Sequence, residues 1–365
     1  MWKNSVSMLQ ASRREANELY TLFHLLAEGK VSMGDAQGNP AREVSIAFVR
    51  RQEHDGTRHY LISETEVRIQ GAQMDVRYPR EDFAIAAKFL LQELQKNEEV
   101  LQIDDLERFL DALKIYDMEA RTEDRTDLHV ALWNAKNPLM GLRIQSRLCG
   151  YQPLLDGGRT ANLKWEQTGM RFSAPAVKKI NSTEHPENLA EVTRRILYIQ
   201  SLGGILKYND VADKIFRSNL LMLDTNLPRI LGTMVMALHL DDTSRLDELV
   251  KVLEEKNPLK LKDELVHKHG IYEYKVRQFL LASAWGMRPG KIFTGRASSI
   301  GGYLMVDQQG DVLLYSRQDE QTFSDYLLTH TRLEKSLPDD DKYGYLEREN
   351  GAYYLKLNVK LGFRK

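Results

Sequence analysis

The feature of this sequence that most constrains its fold is a pair of alternating segments separated by a short turn. Apolar residues recur at every second position in Asp127–Trp133 and again in Gly141–Ser146. Because successive side chains of a strand point to opposite faces, each segment is predicted to be a strand with one apolar face. Residues 134–138, Asn-Ala-Lys-Asn-Pro, have the composition of a turn. The chain is therefore predicted to contain a hairpin on which Arg143 and Gln145 share the polar face.

Helical and strand patterns both occur elsewhere in the chain, which indicates an α+β fold. An amphipathic helix is predicted over Ser12–Glu28, with Ser12 and Glu15 as a capping box and Gly29 at its end. Further helices are predicted at 81–96, 104–113, 187–202, 211–223, 227–239, 243–254 and 271–287. Strands are predicted at 44–49, 59–62, 67–69 and 161–166, and two hairpins at 303–306 with 312–315 and 343–346 with 353–357.

The character of the chain changes near Pro175, after which helices dominate until a β-rich stretch of about eighty residues at the C-terminus. This change predicts two domains. Residues 1–175 would form an α+β core, and residues 176–365 a helical and β-rich second domain.

Composition excludes several classes of protein but leaves the function open. Lys and Arg number 51 and Asp and Glu 52, for a formal charge of −1, which argues against a strongly basic DNA-coating protein. Cys149 is the only cysteine, so neither a disulfide framework nor a cysteine zinc cluster is expected, and a reducing cytoplasm is predicted. The sequence has no apolar run of about 18 residues and no secretory signal. It also lacks the phosphate-loop, GxGxxG, HExxH and GxSxG motifs.

Asp127 and the polar face of the following strand match a pattern used for phosphodiester hydrolysis. Such hydrolysis needs an activated water and neutralised charge, which one or two divalent cations supply. Magnesium takes hard oxygen ligands. A common arrangement places an Asp on one strand, and an acid followed two residues later by Lys on the next. Here Asp127 would hold the first position, and Arg143 and Gln145 the two positions of the second strand.

The acid that would join Asp127 is less clearly defined by the sequence. Glu18 lies one turn after Glu15 on the first helix, and a solvated position and a metal-ligand role are equally compatible with it. Glu15 is explained by the capping box, and Glu166 is a weaker candidate. His129 follows Asp127 by two residues and is read as a strand-surface histidine rather than a ligand.

Several blocks of sequence occur in an order that resembles the HpaII-type restriction endonucleases. They include the helix Arg14–Tyr20, the strand Gly141–Ser146 and the stretch Leu154–Leu163. Later blocks are Asn219-Leu220, Asp224, Leu227–Leu231, Asn257–Leu259, Phe279–Ala282, Gly301–Tyr303, Phe323, Tyr326–Leu328, Thr331–Glu334, Tyr343-Gly344 and Leu357-Asn358. No single block is specific to the family, but the occurrence of all of them in the same order is.

The resemblance implies a PD-(D/E)XK-like nuclease core, Mg²⁺ as cofactor and cleavage of double-stranded DNA at a short palindromic site such as CCGG. It also implies a homodimer, because a palindrome is cut once on each strand. A cognate DNA methyltransferase is expected in the same system. The metal would be held by Asp127 and Glu18, and residues 176–365 would serve DNA recognition, dimerisation or both.

The sequence departs from the family pattern at the catalytic strand. Gln145 stands where the family has its Lys, and Arg143 where it has a Ser. A Gln carbonyl can orient water but carries no charge, and Arg143 could supply the missing positive charge at the scissile phosphate. Two alternatives stay open: a DNA-binding protein of the same fold with impaired catalysis, and a protein-interaction scaffold.

DNA contacts are predicted for polar and basic residues that follow the catalytic strand or lie in the second domain. The candidates are Ser146, Arg147, Asn162, Lys164, Arg288, Lys291 and Arg296. Taken alone, each of the first four is more simply explained as a solvated polar residue. Lys356, Lys360 and Arg364 near the C-terminus are explained at least as well by a charged edge strand.

Overall fold

The structure is a computed structural model that describes residues 9–120, 125–133, 139–182, 190–296 and 298–364. Its helices are α1 Arg13–Glu28, α2 Arg80–Gln95, α3 Glu107–Ala112, α4 Ala174–Asn181, α5 Glu191–Ser201, α6 Lys214–Leu223, α7 Leu227–Leu240, α8 Leu246–Lys256, α9 Ile271–Ala284, α10 Glu320–His330 and α11 Pro338–Asp341. Its strands are β1 Gln10–Ser12, β2 Lys30–Gly34, β3 Pro40–Glu53, β4 Gly56–Ile62, β5 Glu66–Gly71, β6 Met74–Pro79, β7 Val100–Gln102, β8 Leu128–Leu132, β9 Leu139–Ser146, β10 Asn162–Gly169, β11 Gly204–Val211, β12 Ile300–Val306, β13 Val312–Ser316, β14 Thr331–Leu333, β15 Leu346–Glu349, β16 Ala352–Asn358 and β17 Leu361–Phe363. The mixture confirms an α+β protein.

The chain divides into two compact units that are not consecutive in sequence. The first contains the described residues of Met1–Tyr151 and Ala297–Tyr326, and the second those of Gln152–Arg296 and Leu327–Arg364. Strands β12 and β13, although late in the sequence, belong to the sheet of the first unit.

Helix α1 forms where the sequence predicts it. The Ser12 side chain accepts a hydrogen bond from the Glu15 backbone, and the Glu15 carboxylate accepts the Ser12 N–H at 2.8 Å. Gly29 ends the helix in the left-handed region at φ 62°, a conformation that glycine adopts without a steric penalty. The capping box and the glycine thus fix both ends of the helix that carries Glu18.

The first unit is built on a nine-stranded mixed sheet in the order β2-β13-β12-β9-β8-β3-β4-β5-β6. Strand β2 also pairs with the first part of β3, so six of the strands form a closed ring of pairings. β8 and β9 are antiparallel, whereas β12 joins β9 in parallel, with Tyr303 beside Arg143 and Met305 beside Gln145. The predicted catalytic strand is therefore a central strand.

Helices α1 and α2 cover one side of this sheet. Phe23, Phe83 and Phe109 contact one another with ring centroids 5.4–5.8 Å apart, and Leu128 and Leu142 belong to the same buried cluster. Each such side chain contributes about 1.5–3 kcal/mol when fully buried. The apolar faces of β8 and β9 are thus fixed toward the helices, which fixes the direction of their polar faces as well.

The second unit has a four-stranded antiparallel sheet in the order β11-β10-β16-β15, a two-stranded pair β14-β17, and helices α4 to α9 with α11. Asn350 and Gly351 join β15 to β16 with φ 49° and 88°, as a tight hairpin turn of this sequence requires. Within the part of the chain that the structure describes, no helix is both long and apolar enough to cross a membrane.

Most predicted elements are present, and the differences have local causes. The helix predicted from 211 begins at Lys214, because the Asp213 carboxylate caps it, and 204–211 form strand β11 instead. The strand predicted at 343–346 is wrong, since β15 starts at Leu346, in register with the turn at 350–351. The β-rich C-terminal stretch also contains helix α10. The turn at 134–138 and residues 187–189 lie outside the described residues.

Candidate functional site

Asp127 stands immediately before β8 and is fixed against the neighbouring strand by two hydrogen bonds. Its N–H donates to the Leu142 carbonyl at 2.8 Å, and its Oδ2 accepts the Ile144 N–H at 2.7 Å. The register of β8 with β9 pairs Leu128 with Leu142, so Asp127 lies opposite Arg143. The Asp127 carboxylate is therefore held beside the polar face of β9.

Burial raises the pKa of the Asp127 carboxyl above its usual value. The hydrogen bond from Ile144 and the positive charges of Arg143 and Arg14 act in the opposite direction. The nearby negative charge of Glu119 adds to the effect of burial. A partly buried acid with charged groups around it is characteristic of functional sites.

The two polar residues of β9 differ in exposure. Arg143 is half-buried, whereas the Gln145 side chain is 1% exposed. Leu142 and Ile144 pack with the core on the other face of the strand. The structure thus places Asp127 and Arg143 together at a partly accessible position, with Gln145 one step further along the same face and covered.

Glu18 is buried in a cluster of charged side chains rather than on a solvated helix face. Its Oε1 accepts hydrogen bonds from Arg51 Nη2 at 3.1 Å and Nε at 3.3 Å, and from the Ala120 N–H at 2.5 Å. Arg51 also donates to Glu53 at 2.6 Å, and Tyr60 donates to Glu53 at 2.8 Å. One fully buried guanidinium therefore serves two carboxylates.

Burial raises the pKa of Glu18 to about 7, despite the opposing charge of Arg51. Arg51 is shared with Glu53, and Asp127 adds a negative charge nearby. For these reasons the ion pair lowers the pKa of Glu18 less than burial raises it. Glu18 is thus near enough to Asp127 for the two charges to interact.

We expect this raised pKa to appear in the pH dependence of stability. Because the pKa of about 7 in the folded state exceeds the ordinary value of 4.5, the contribution is complete below pH 4.5 and is lost as the pH rises through 7. Between pH 6 and 8.5 the loss is on the order of 1 kcal/mol. Glu18→Gln should remove it in metal-free urea unfolding, whereas Glu99→Gln at an exposed position should not. An equal pH dependence in all three proteins would contradict the burial argument.

A short loop runs beside Glu18 and Asp127 and brings in charged residues that the sequence did not single out. Arg51 Nη2 donates to the carbonyls of Asp117 at 3.1 Å and Met118 at 2.7 Å. Glu119 forms an ion pair with Arg14 at 3.0 Å. A sequence signal for Arg51 exists, since it follows buried Val49 by two residues on β3 and so belongs to the inward face.

Some of the residues predicted to contact DNA are buried, and others are exposed. Ser146 is buried and accepts the Leu148 N–H at 3.0 Å, and Asn162 is buried among the carbonyls of Asp341 and Lys342. Arg147 donates to the Tyr151 hydroxyl at 3.1 Å. In the second unit Lys164 pairs with Glu349 at 3.3 Å, Arg288 is half-buried, and Lys291 and Arg296 are exposed.

Other sequence candidates are explained by their own surroundings. Glu166 lies on β10 in the second unit, and His129 is half-buried on β8. Lys356 lies on β16, which has partners on both sides and is not an edge strand. Lys356 contacts Glu349 at 2.7 Å and Lys360 contacts Asp156 at 2.8 Å. These two lysines are therefore engaged in ion pairs within the second unit.

Comparison with known proteins extends the resemblance over nearly the whole chain. The sequence is 28% identical over 360 residues to the type II restriction enzyme HpaII of Haemophilus parainfluenzae, covering 96% of this chain and 98% of that protein. No solved structure matches. The pattern that describes the HpaII restriction endonuclease family matches residues 12–363, a range that includes Asp127 and the strand beside it. The chain belongs to the HpaII restriction endonuclease family.

Proposed function

We propose that the protein is a type II restriction endonuclease that hydrolyses duplex DNA at a short palindromic site with the help of Mg²⁺. The observation that carries the proposal is the position of Asp127, fixed opposite Arg143 in a chain that belongs to a restriction endonuclease family. CCGG is the first candidate site. On this view the first unit is a PD-(D/E)XK-like nuclease core.

The donor set near Asp127 suits a hard cation. Asp127 offers a carboxylate, the hard oxygen ligand that Mg²⁺ prefers, and waters would complete the octahedron. Within the described ranges, no three His, Cys, Asp or Glu side chains are grouped closely enough to hold a metal ion between them. The protein would therefore provide few direct ligands, with Asp127 first and Glu18 as the second acid that the sequence predicts.

Each group of the site has a distinct task under this proposal. When bound, the cation lowers the pKa of water and neutralises charge at the phosphate. Asp127 would hold the cation through its carboxylate. Arg143 contacts the scissile phosphate and supplies the positive charge that the family's Lys would bring. The Gln145 carbonyl, on the same face of β9 as Arg143, orients the attacking water.

DNA binding and assembly follow from the same proposal. Arg147, Lys164, Arg288, Lys291 and Arg296 would contact phosphates or bases, while buried Ser146 and Asn162 would support the loops behind them. A homodimer would cut the two strands of a palindrome. The host DNA would be protected by a cognate methyltransferase.

A plasmid assay tests the proposal. Purified protein is incubated with plasmid in Mg²⁺ or in EDTA, and the ends of any fragments are sequenced. Discrete fragments formed only with Mg²⁺, sharing one palindrome at their ends, would support it. DNA binding without fragments would favour a catalytically impaired DNA-binding protein. The absence of both binding and fragments would favour an interaction scaffold.

Gln145→Ala should lower the cleavage rate on the order of a hundredfold and leave DNA binding nearly unchanged, because the amide acts on the water rather than on the duplex. Gln145→Lys, which restores the family residue, should retain more activity than the Ala variant. Gln167→Ala, at a buried glutamine of the second unit, controls for loss of packing. Equal losses of cleavage and binding in Gln145→Ala would contradict the assigned role.

A further inference from the structure

We propose that Glu119 is the second acid of the metal site and that Glu18 is a positioning residue that holds it there. This inference rests on the proposed nuclease function and changes one of its assignments. The observation behind it is the loop Asp117–Ala120, which is hydrogen-bonded to Arg51 on one side of Glu119 and to Glu18 on the other.

Glu18 is poorly placed to take a cation directly. Three donors converge on its Oε1, two from Arg51 and one from the Ala120 N–H. The side chain is 8% exposed, and Arg51 beside it is fully buried. A cation at Glu18 would face a buried guanidinium within the same ion pair, and breaking that pair would leave Arg51 without one of its two acids.

Glu119 has the accessibility that Glu18 lacks. Its side chain is 42% exposed and its Oε1 lies 3.0 Å from Arg14 Nε, whose own side chain is 58% exposed. An ion pair this exposed is worth little, so a divalent cation can replace Arg14 at a small cost. Arg14 would then be available to a phosphate, as the second positive charge near Asp127 after Arg143.

The geometry places Glu119 along the same side of α1 as Glu18. Arg14 and Glu18 are four residues apart and therefore lie one above the other on the helix. Glu119 contacts Arg14 while the next residue, Ala120, contacts Glu18. The loop thus runs along this side of the helix, and the charges of Glu119, Glu18 and Arg14 all act at or beside Asp127.

The buried cluster of Glu18, Arg51 and Glu53 has a structural role in this arrangement. Arg51 is bound by Glu53 and donates two further hydrogen bonds to the carbonyls of Asp117 and Met118. Glu18 holds the amide that follows Glu119. The cluster therefore fixes both ends of a loop that has no regular secondary structure of its own, so that a carboxylate on it stays in place.

The test is Mn²⁺ titration of the DNA-free protein by calorimetry, with Glu119→Gln, Glu18→Gln and Glu18→Ala compared with the exposed control Glu99→Gln. Glu119→Gln should weaken Mn²⁺ binding at least tenfold without changing the melting temperature. Glu18→Gln keeps an acceptor for Ala120 and should bind Mn²⁺ almost as the unmodified protein does. Glu18→Ala loses that acceptor and should weaken binding by about 10–100-fold.

The opposite pattern overturns the assignment. If Glu18→Gln loses Mn²⁺ binding as fully as Glu18→Ala while Glu119→Gln matches the control, Glu18 is the ligand and Glu119 is not. That result would leave the nuclease function standing, because plasmid cleavage would still require Mg²⁺. An unmodified protein that neither binds Mn²⁺ nor cuts DNA would overturn the function itself.

Discussion

Asp127→Asn should reduce Mg²⁺-dependent DNA cleavage on the order of a thousandfold or more, while the variant still folds and binds duplex DNA. The Asn side chain has the same shape, and its Oδ1 can still accept the Ile144 N–H, so the pairing of β8 with β9 is preserved. What is lost is the negative charge that attracts the cation. Cleavage is measured with plasmid under single-turnover conditions, and binding with the same DNA in Ca²⁺.

Asp75→Asn provides the matched control for this change. Asp75 lies on β6 of the same sheet, is exposed, and pairs with Arg68 at 2.6 Å. Its substitution should leave cleavage unchanged. Cleavage by Asp127→Asn at a rate within a few-fold of the unmodified protein would show that Asp127 does not hold the metal.

Arg51→Met should lower the free energy of unfolding of the first unit by about 3–5 kcal/mol. Arg51 is fully buried between Glu18 and Glu53, so its removal leaves two buried carboxylates without a cation. The measurement is urea unfolding at pH 8, above the pKa of about 7 of Glu18. Arg51→Lys keeps a positive charge but cannot donate to all of these partners. Its free energy of unfolding should lie between those of Arg51→Met and the unmodified protein.

Arg68→Met is the control for Arg51→Met. The Arg68 and Asp75 side chains are 43% and 52% exposed, and such pairs contribute about 0–1 kcal/mol. A loss in Arg51→Met no larger than in Arg68→Met would contradict the buried-cluster account. If Arg51→Met does not fold, the double variant with Glu53→Gln should fold better, because one unpaired carboxylate is removed with it.

Local patterns predicted the elements that carry the candidate site. The capping box at Ser12 and the glycine at 29 predicted the bounds of α1. The alternation of apolar and polar residues predicted β8 and β9, with Arg143 and Gln145 on one face. These features depend on residues close in sequence, so a pattern of a few residues is sufficient to predict them.

Features that depend on distant residues were not predictable in this way. The parallel pairing of β12 with β9 joins Met305 to Gln145 across about 160 residues of sequence, and it makes β9 a central strand rather than an edge. The burial of Glu18 depends on Arg51 from β3 and on Ala120 from a loop. From the sequence alone, Glu18 fitted a solvated helix face and a ligand equally well, and no pattern distinguished Glu119 from other exposed acids.

The most direct measurement of the central claim is anomalous diffraction from crystals of the protein with a cleavable duplex and Mn²⁺, using the site mapped in the plasmid assay. The account predicts an anomalous peak coordinated by an Asp127 carboxylate oxygen and lying next to the phosphate at the cut position. A Mn²⁺ ion bound at that phosphate by other side chains, with Asp127 retaining only its hydrogen bond to Ile144, would contradict it.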